Sequence, residues 1–118
     1  MSDLLQKLQS ATEGSRELDM AIARLMNYPS GKCLHYTTNL QDAVSLVRSR
    51  FPRHTWTAQY DPEDDECIAE LMGPDWVGGP ETGGTYRPGP EIVLKGDRVP
   101  IALCIAIIKA HEARAEAA

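Results

Sequence analysis

Positive charge is scarce in this chain of 118 residues: 12 Lys and Arg stand against 17 Asp and Glu, leaving a net charge of -5 and an isoelectric point near 5.1. Neutralised phosphates supply most of the affinity for nucleic acid, so this balance argues against a duplex-binding surface. Cysteine is sparse as well. Cys33, Cys67 and Cys104 are odd in number, far apart and set in apolar contexts, which fits reduced thiols used as small hydrophobes and points to a cytoplasmic location. No apolar run reaches the ~18 residues of a membrane span, and MSDLLQKLQS lacks the basic and apolar regions of a secretion signal.

Several chemical signatures are missing too. The Cys and His residues have no C-x2-C or H-x3-H spacing, so a zinc site is not expected. There is no G-x-S-x-G and no local signature that would activate a cysteine, and the Gly-rich stretch lacks the GK[ST] ending of a phosphate loop. In DPEDDE, Asp61, Glu63 and Asp65 alternate as at the start of a calcium loop. Glu66, however, replaces the tight-turn Gly and Met72 the bidentate Glu. We read that stretch as a solvated acidic tip, and expect no metal, no cofactor and no catalytic residue, with a Cys–His dyad assembled in space as the one alternative that spacing leaves open.

What is present is one long apolar segment, VPIALCIAIIKAHE, residues 99–112. Pro100 suits the first turn of a helix, and Leu103, Cys104 and the four isoleucines cover about 200° of its wheel. That leaves Ala102, Ala106 and Lys109 on the remaining arc of a nearly buried helix. Upstream, Ser2 opens a first helix with Leu4, Leu5, Leu8 and Ala11 on one stripe, ended by Gly14. Ser15 caps a second, SRELDMAIARLM, with Leu18, Ile22, Leu25 and Met26 inward and Pro29 and Gly31 beyond it. Thr38 and Gln41 have capping-box spacing ahead of a third, which collects Arg48 and Arg50 at its end.

Strands are expected at 33–37, 55–60, 67–72 and 91–94; the two middle ones alternate apolar and polar residues across a six-residue hairpin connection. The fold class is therefore α+β, a single domain over 1–118 with a small, mainly antiparallel four-stranded sheet and helices on both faces.

Two features bear on function. Residues 73–90 are rich in Gly and Pro and carry Trp76, Tyr86 and Arg87. Such a loop either packs its own aromatics or serves as a lid, offering a stacking face and a guanidinium fork to a small anionic ligand. The basic cluster RSRFPRH, with Arg48, Arg50, Arg53 and His54, either caps a helix end or faces the same anion. The ligand-binding residues expected on this reading are Trp76, Tyr86, Arg87, Arg53 and His54.

SRELDMAIARLM, HYTTNLQDAVSLV, HTWTAQY followed by IAEL, and VPIALCIAIIKAHEAR resemble the small phage-encoded proteins of the phage ABA-sandwich domain family, over Ser15 to Arg114. The resemblance implies an α-β-α sandwich and a phage or prophage context, hence the host cytoplasm, and no assigned catalytic residues. Together these readings favour a non-enzymatic accessory protein that sequesters a small anionic nucleotide-type signal or binds a host protein. The alternatives are a homo-oligomeric interaction module assembled through the 100–115 helix and a small hydrolase of such a signal.

Overall fold

The computed structural model describes residues 3–27, 34–73, 76–77, 85–86 and 91–117. Their order is α1 (Asp3–Ser10), α2 (Arg16–Leu25), α3 (Leu40–Arg50), β1 (Thr55–Asp61), β2 (Glu66–Met72), β3 (Trp76–Val77), β4 (Thr85–Tyr86), β5 (Glu91–Lys95) and α4 (Val99–Ala117). The class is α+β.

Helix α4 forms where the apolar run lies. The Arg98 carbonyl accepts its first bond, from Ala102 N–H at 2.9 Å, and Pro100 falls in the first turn, where its missing donor costs nothing. Every residue from Ile101 to Ile108 is buried, Ala102 and Ala106 included, so the arc expected to be the helix's outer side is covered as well. The cover comes from all three long strands on one side and from α1 and α3 on others. Lys109 is the first exposed residue of the helix.

The sheet is antiparallel in the order β1-β2-β5. The register places Trp56 opposite Leu71, Ala58 opposite Ala69 and Tyr60 opposite Cys67, with Ala69 opposite Ile92 and Cys67 opposite Leu94, so these side chains share the face turned to α4. The expected hairpin is present, and its acidic tip is fixed by internal bonds. Asp61 Oδ1 accepts from Glu63 N–H at 3.0 Å, Tyr60 donates its hydroxyl to Asp65 at 2.6 Å, and Asp65, at φ 51°, presents its carbonyl to Gly96 N–H at 2.7 Å. The hydrogen bond to Asp65 raises the Tyr60 pKa, with the acidic neighbours adding to it.

Three expectations are corrected. Residues 34–38 are no strand: His35 C=O accepts from Thr38 and Asn39 N–H, a turn, and Thr37 N–H is committed to a side chain instead of a ladder. The main sheet thus has three strands, with β3 and β4 forming a separate two-stranded ladder. Asn39, not Thr38, caps α3, its Oδ1 accepting from Asp42 N–H at 3.2 Å. Helix α1 ends at Ser10, whose hydroxyl bonds back to the Gln6 and Lys7 carbonyls, so Gly14 is not its terminator. A Cβ on Gly14 would lie 2.3 Å from the Thr37 carbonyl oxygen, and glycine is required there for close backbone approach.

No described residue covers the outer face of the sheet. Val93 keeps 49% of its surface exposed, and the second helical layer expected on that side is not found among the described residues. Ser15 caps α2 as expected, accepting from Leu18 N–H at 3.2 Å. The expected Ser2 cap, Cys33 and the Pro29 and Gly31 stop lie outside the described residues; α2 ends through Asn27 in the left-handed region, φ 61°.

Ile105 is fully buried at the middle of α4, so Ile105→Ala removes a side chain covered from several sides. A loss of about 2–5 kcal/mol is expected, read as a lower urea midpoint with unchanged slope.

Candidate functional site

Leu40, Val44 and Arg48 recur every four residues and therefore form one stripe on α3. That stripe, with Gln41 and Asp42, faces Trp56 on the edge strand β1 across a cleft of about 560 Å³. Trp56 is half-buried against the core and Arg48 is exposed. Asp42 sits in the first turn of α3, where the helix dipole favours its charge, and its Oδ2 accepts His35 N–H at 3.0 Å. The cleft combines an indole face, a guanidinium and a carboxylate held in place. Those groups suit a planar, anionic molecule with a donor edge: stacking on Trp56, charge pairing with Arg48 and hydrogen bonding to Asp42.

The basic cluster divides. Arg48 enters the cleft, whereas Arg50 turns inward and donates to the Met26 carbonyl at the end of α2. Arg53 is exposed in the turn before β1. His54 is half-buried, edge-on to Phe51 at 4.8 Å and 68°, and its N–H donates to the Phe51 carbonyl at 3.0 Å. Neither Arg53 nor His54 lines the cleft. Trp76 and Tyr86 are backbone partners in the β3–β4 ladder, so the loop brings these two positions together. Arg87 lies outside the described residues.

A second polar centre was not anticipated. Asp19 is 1% exposed; its Oδ1 accepts from Thr37 N–H at 2.8 Å and from the Thr37 hydroxyl at 2.7 Å. Thr37 Oγ1 in turn accepts Ser15 N–H at 3.0 Å. On the other oxygen, Arg16 Nη1 stands at 3.5 Å and His35 Nδ1 at 3.9 Å, and Arg16 also donates to the Leu34 carbonyl at 3.0 Å. The signal was available in the sequence: Asp19 precedes Ile22, Ala23 and Met26 by three, four and seven residues, which places it on the buried stripe of α2. A carboxylate at such a position must find donors, and Thr37 supplies two.

Nearby, Cys104 donates its thiol to the Tyr36 carbonyl at 3.4 Å. Burial pushes this thiol far above its ordinary pKa, and the negative charge of Asp19 adds to the shift, so the nucleophilic thiolate is suppressed. Cys67 is equally enclosed. Among the described residues, no group of three or more His, Cys, Asp or Glu could hold a metal ion, and no helix is long and apolar enough to cross a membrane.

Two outcomes follow from this geometry. Asp19→Ala leaves the buried Thr37 N–H without its acceptor, while the Thr37 hydroxyl keeps the Ser15 carbonyl at 3.2 Å, for an expected cost of about 1–3 kcal/mol. In a double-mutant cycle Thr37→Val should add much less on top of Asp19→Ala than alone, whereas additive losses would show that the pair does not act as a unit. Separately, in a Cys33→Ser background Cys67 and Cys104 should resist a disulfide reagent at pH 8 and react once guanidinium unfolds the chain; labelling of the native protein would contradict their enclosure.

Compared with protein-family models, curated proteins and solved structures, the chain matches none, so the resemblance to the phage ABA-sandwich proteins rests on its sequence motifs alone.

Proposed function

We propose that this protein is a non-enzymatic phage accessory factor that binds and sequesters a small anionic nucleotide-type signal, in a counter-defence role within the host cytoplasm. The observation that carries the reading is the α3–β1 cleft, which Arg48, Trp56 and Asp42 line together. Base stacking on an aromatic side chain contributes about 1–3 kcal/mol whatever the base, and a guanidinium matches a phosphate in two hydrogen bonds. This moves the centre of the expected site from Arg53 and His54 to Arg48 and Trp56. Trp76, Tyr86 and Arg87 remain candidates for a lid over a bound ligand. The enclosure of Cys67 and Cys104 speaks against a hydrolase that uses either of these two thiols as its nucleophile.

The interaction-module alternative loses much of its proposed surface. Ile101–Ile108 are consumed within the chain's own core, which leaves only the end of α4 beyond them for a homo-oligomer built on that helix.

Calorimetry against cyclic mononucleotides, cyclic dinucleotides and ADP-ribose derivatives should give heat with at least one of them. Arg48→Gln and Trp56→Leu should each weaken that ligand about tenfold or more, in line with losing one charged hydrogen bond or one stacking contact. The absence of heat across the panel, or binding indifferent to both substitutions, would remove the proposal.

A further inference from the structure

The outer face of the sheet has a composition of its own. Register brings its side chains into cross-strand rows: Gln59, Ile68 and Val93 in one, Thr57, Glu70 and Glu91 in the next, and Asp61, Glu66 and Lys95 at the hairpin end. Met72 lies at the opposite end, across from Thr55. Val93 is 49% exposed, with Ile68 and Met72 partly so, making a small apolar centre.

Charge around that centre is one-sided. Asp61, Glu66, Glu70 and Glu91 share the face with Lys95, which reaches Glu66 at 3.3 Å. Glu70 and Glu91 are direct cross-strand partners, an arrangement that destabilises a sheet when nothing cationic lies between them. Beside an apolar centre, such a pair matches a partner that brings both apolar and cationic groups.

We propose that this face docks a basic amphipathic helix of a partner protein, its apolar stripe on Ile68, Met72 and Val93 and its Lys or Arg residues on Glu70 and Glu91. The dimensions agree. Three strands at about 4.8 Å spacing and five to seven residues each make a surface about 10 Å wide and 17–23 Å long, the footprint of one helix of about 12–15 residues. A second copy of this chain is the poorer occupant, because face-to-face pairing would set the same carboxylates against each other. The inference is independent of the nucleotide-binding reading, since Trp56 and Arg48 lie on the helical side of the sheet.

The probe is a 15-residue helical peptide with leucines at i, i+3, i+4 and i+7 and lysines flanking the stripe; the control has the same composition in scrambled order. Fluorescence anisotropy with the full chain should show the scrambled peptide at least tenfold weaker, and amide shifts on binding should map to Ile68, Glu70, Glu91 and Val93. Glu70→Gln with Glu91→Gln should weaken binding about tenfold and reduce its salt dependence, while raising the melting temperature of the free protein, which shows that the fold is intact. Val93→Ser should weaken binding without changing the heat of any nucleotide found to bind. Equal binding of the scrambled peptide, shifts centred on the α3–β1 cleft, no binding, or self-association of the free protein that Val93→Ser abolishes would each overturn the proposal.

Discussion

A helix that is apolar around its whole circumference has to be covered on every side, and the rest of this molecule is arranged around that requirement. From Ile101 to Ile108 no residue of α4 keeps more than 1% of its surface. The sheet meets it with small residues at its centre, Ala58, Cys67 and Ala69, which leave room for the isoleucines of the helix. Helices α1 and α3 close the other sides, each with a narrow apolar stripe that would be too short to hold a helix in isolation. Stability therefore resides in one shared core, and α1, α3 and the three-stranded sheet owe their persistence to packing on α4.

Polar ties then decide how the covering elements sit. The Asp19 carboxylate anchors the 34–38 turn to the start of α2 through Thr37, and Gly14 permits the close backbone contact that this requires. Arg98, just before α4, donates to the carbonyls of Gln9, Ala11 and Lys95 and so joins the end of α1 to the end of β5. Arg50 ties the end of α3 to the end of α2. With α3 held in this way, its Leu40–Val44–Arg48 stripe lies opposite Trp56, and the cleft between them is a consequence of the packing.

The two faces of the sheet are consequently unlike. One is buried by α4; the other carries a small apolar centre among carboxylates, and nothing among the described residues lies over it. In natural sheets, charged side chains on exposed edge strands limit pairing with other chains. Here the charges are placed in direct cross-strand opposition, which protection alone does not require.

Local patterns in the sequence carried much of the architecture. The β1–β2 hairpin was legible because alternation and a polar turn are contained within neighbouring residues, and α4 because its apolar run is too long for a strand. The Ser15 cap could be read from a span of four residues. The failures share a cause. CLHYT has strand propensity, yet Thr37 N–H is claimed by Asp19, 18 residues away in the chain. Gly14 looked like a helix terminator, although its true constraint is the Thr37 carbonyl. Arg48 and Arg50 were indistinguishable as members of one basic cluster until packing turned one inward and the other toward Trp56. Hydrophobic period is a short-range property, so the helices, the β1–β2 hairpin and the burial of the last helix follow from local sequence. Which polar groups meet, which short segments pair as strands and where a cleft opens depend on contacts between distant residues, and these are fixed by packing.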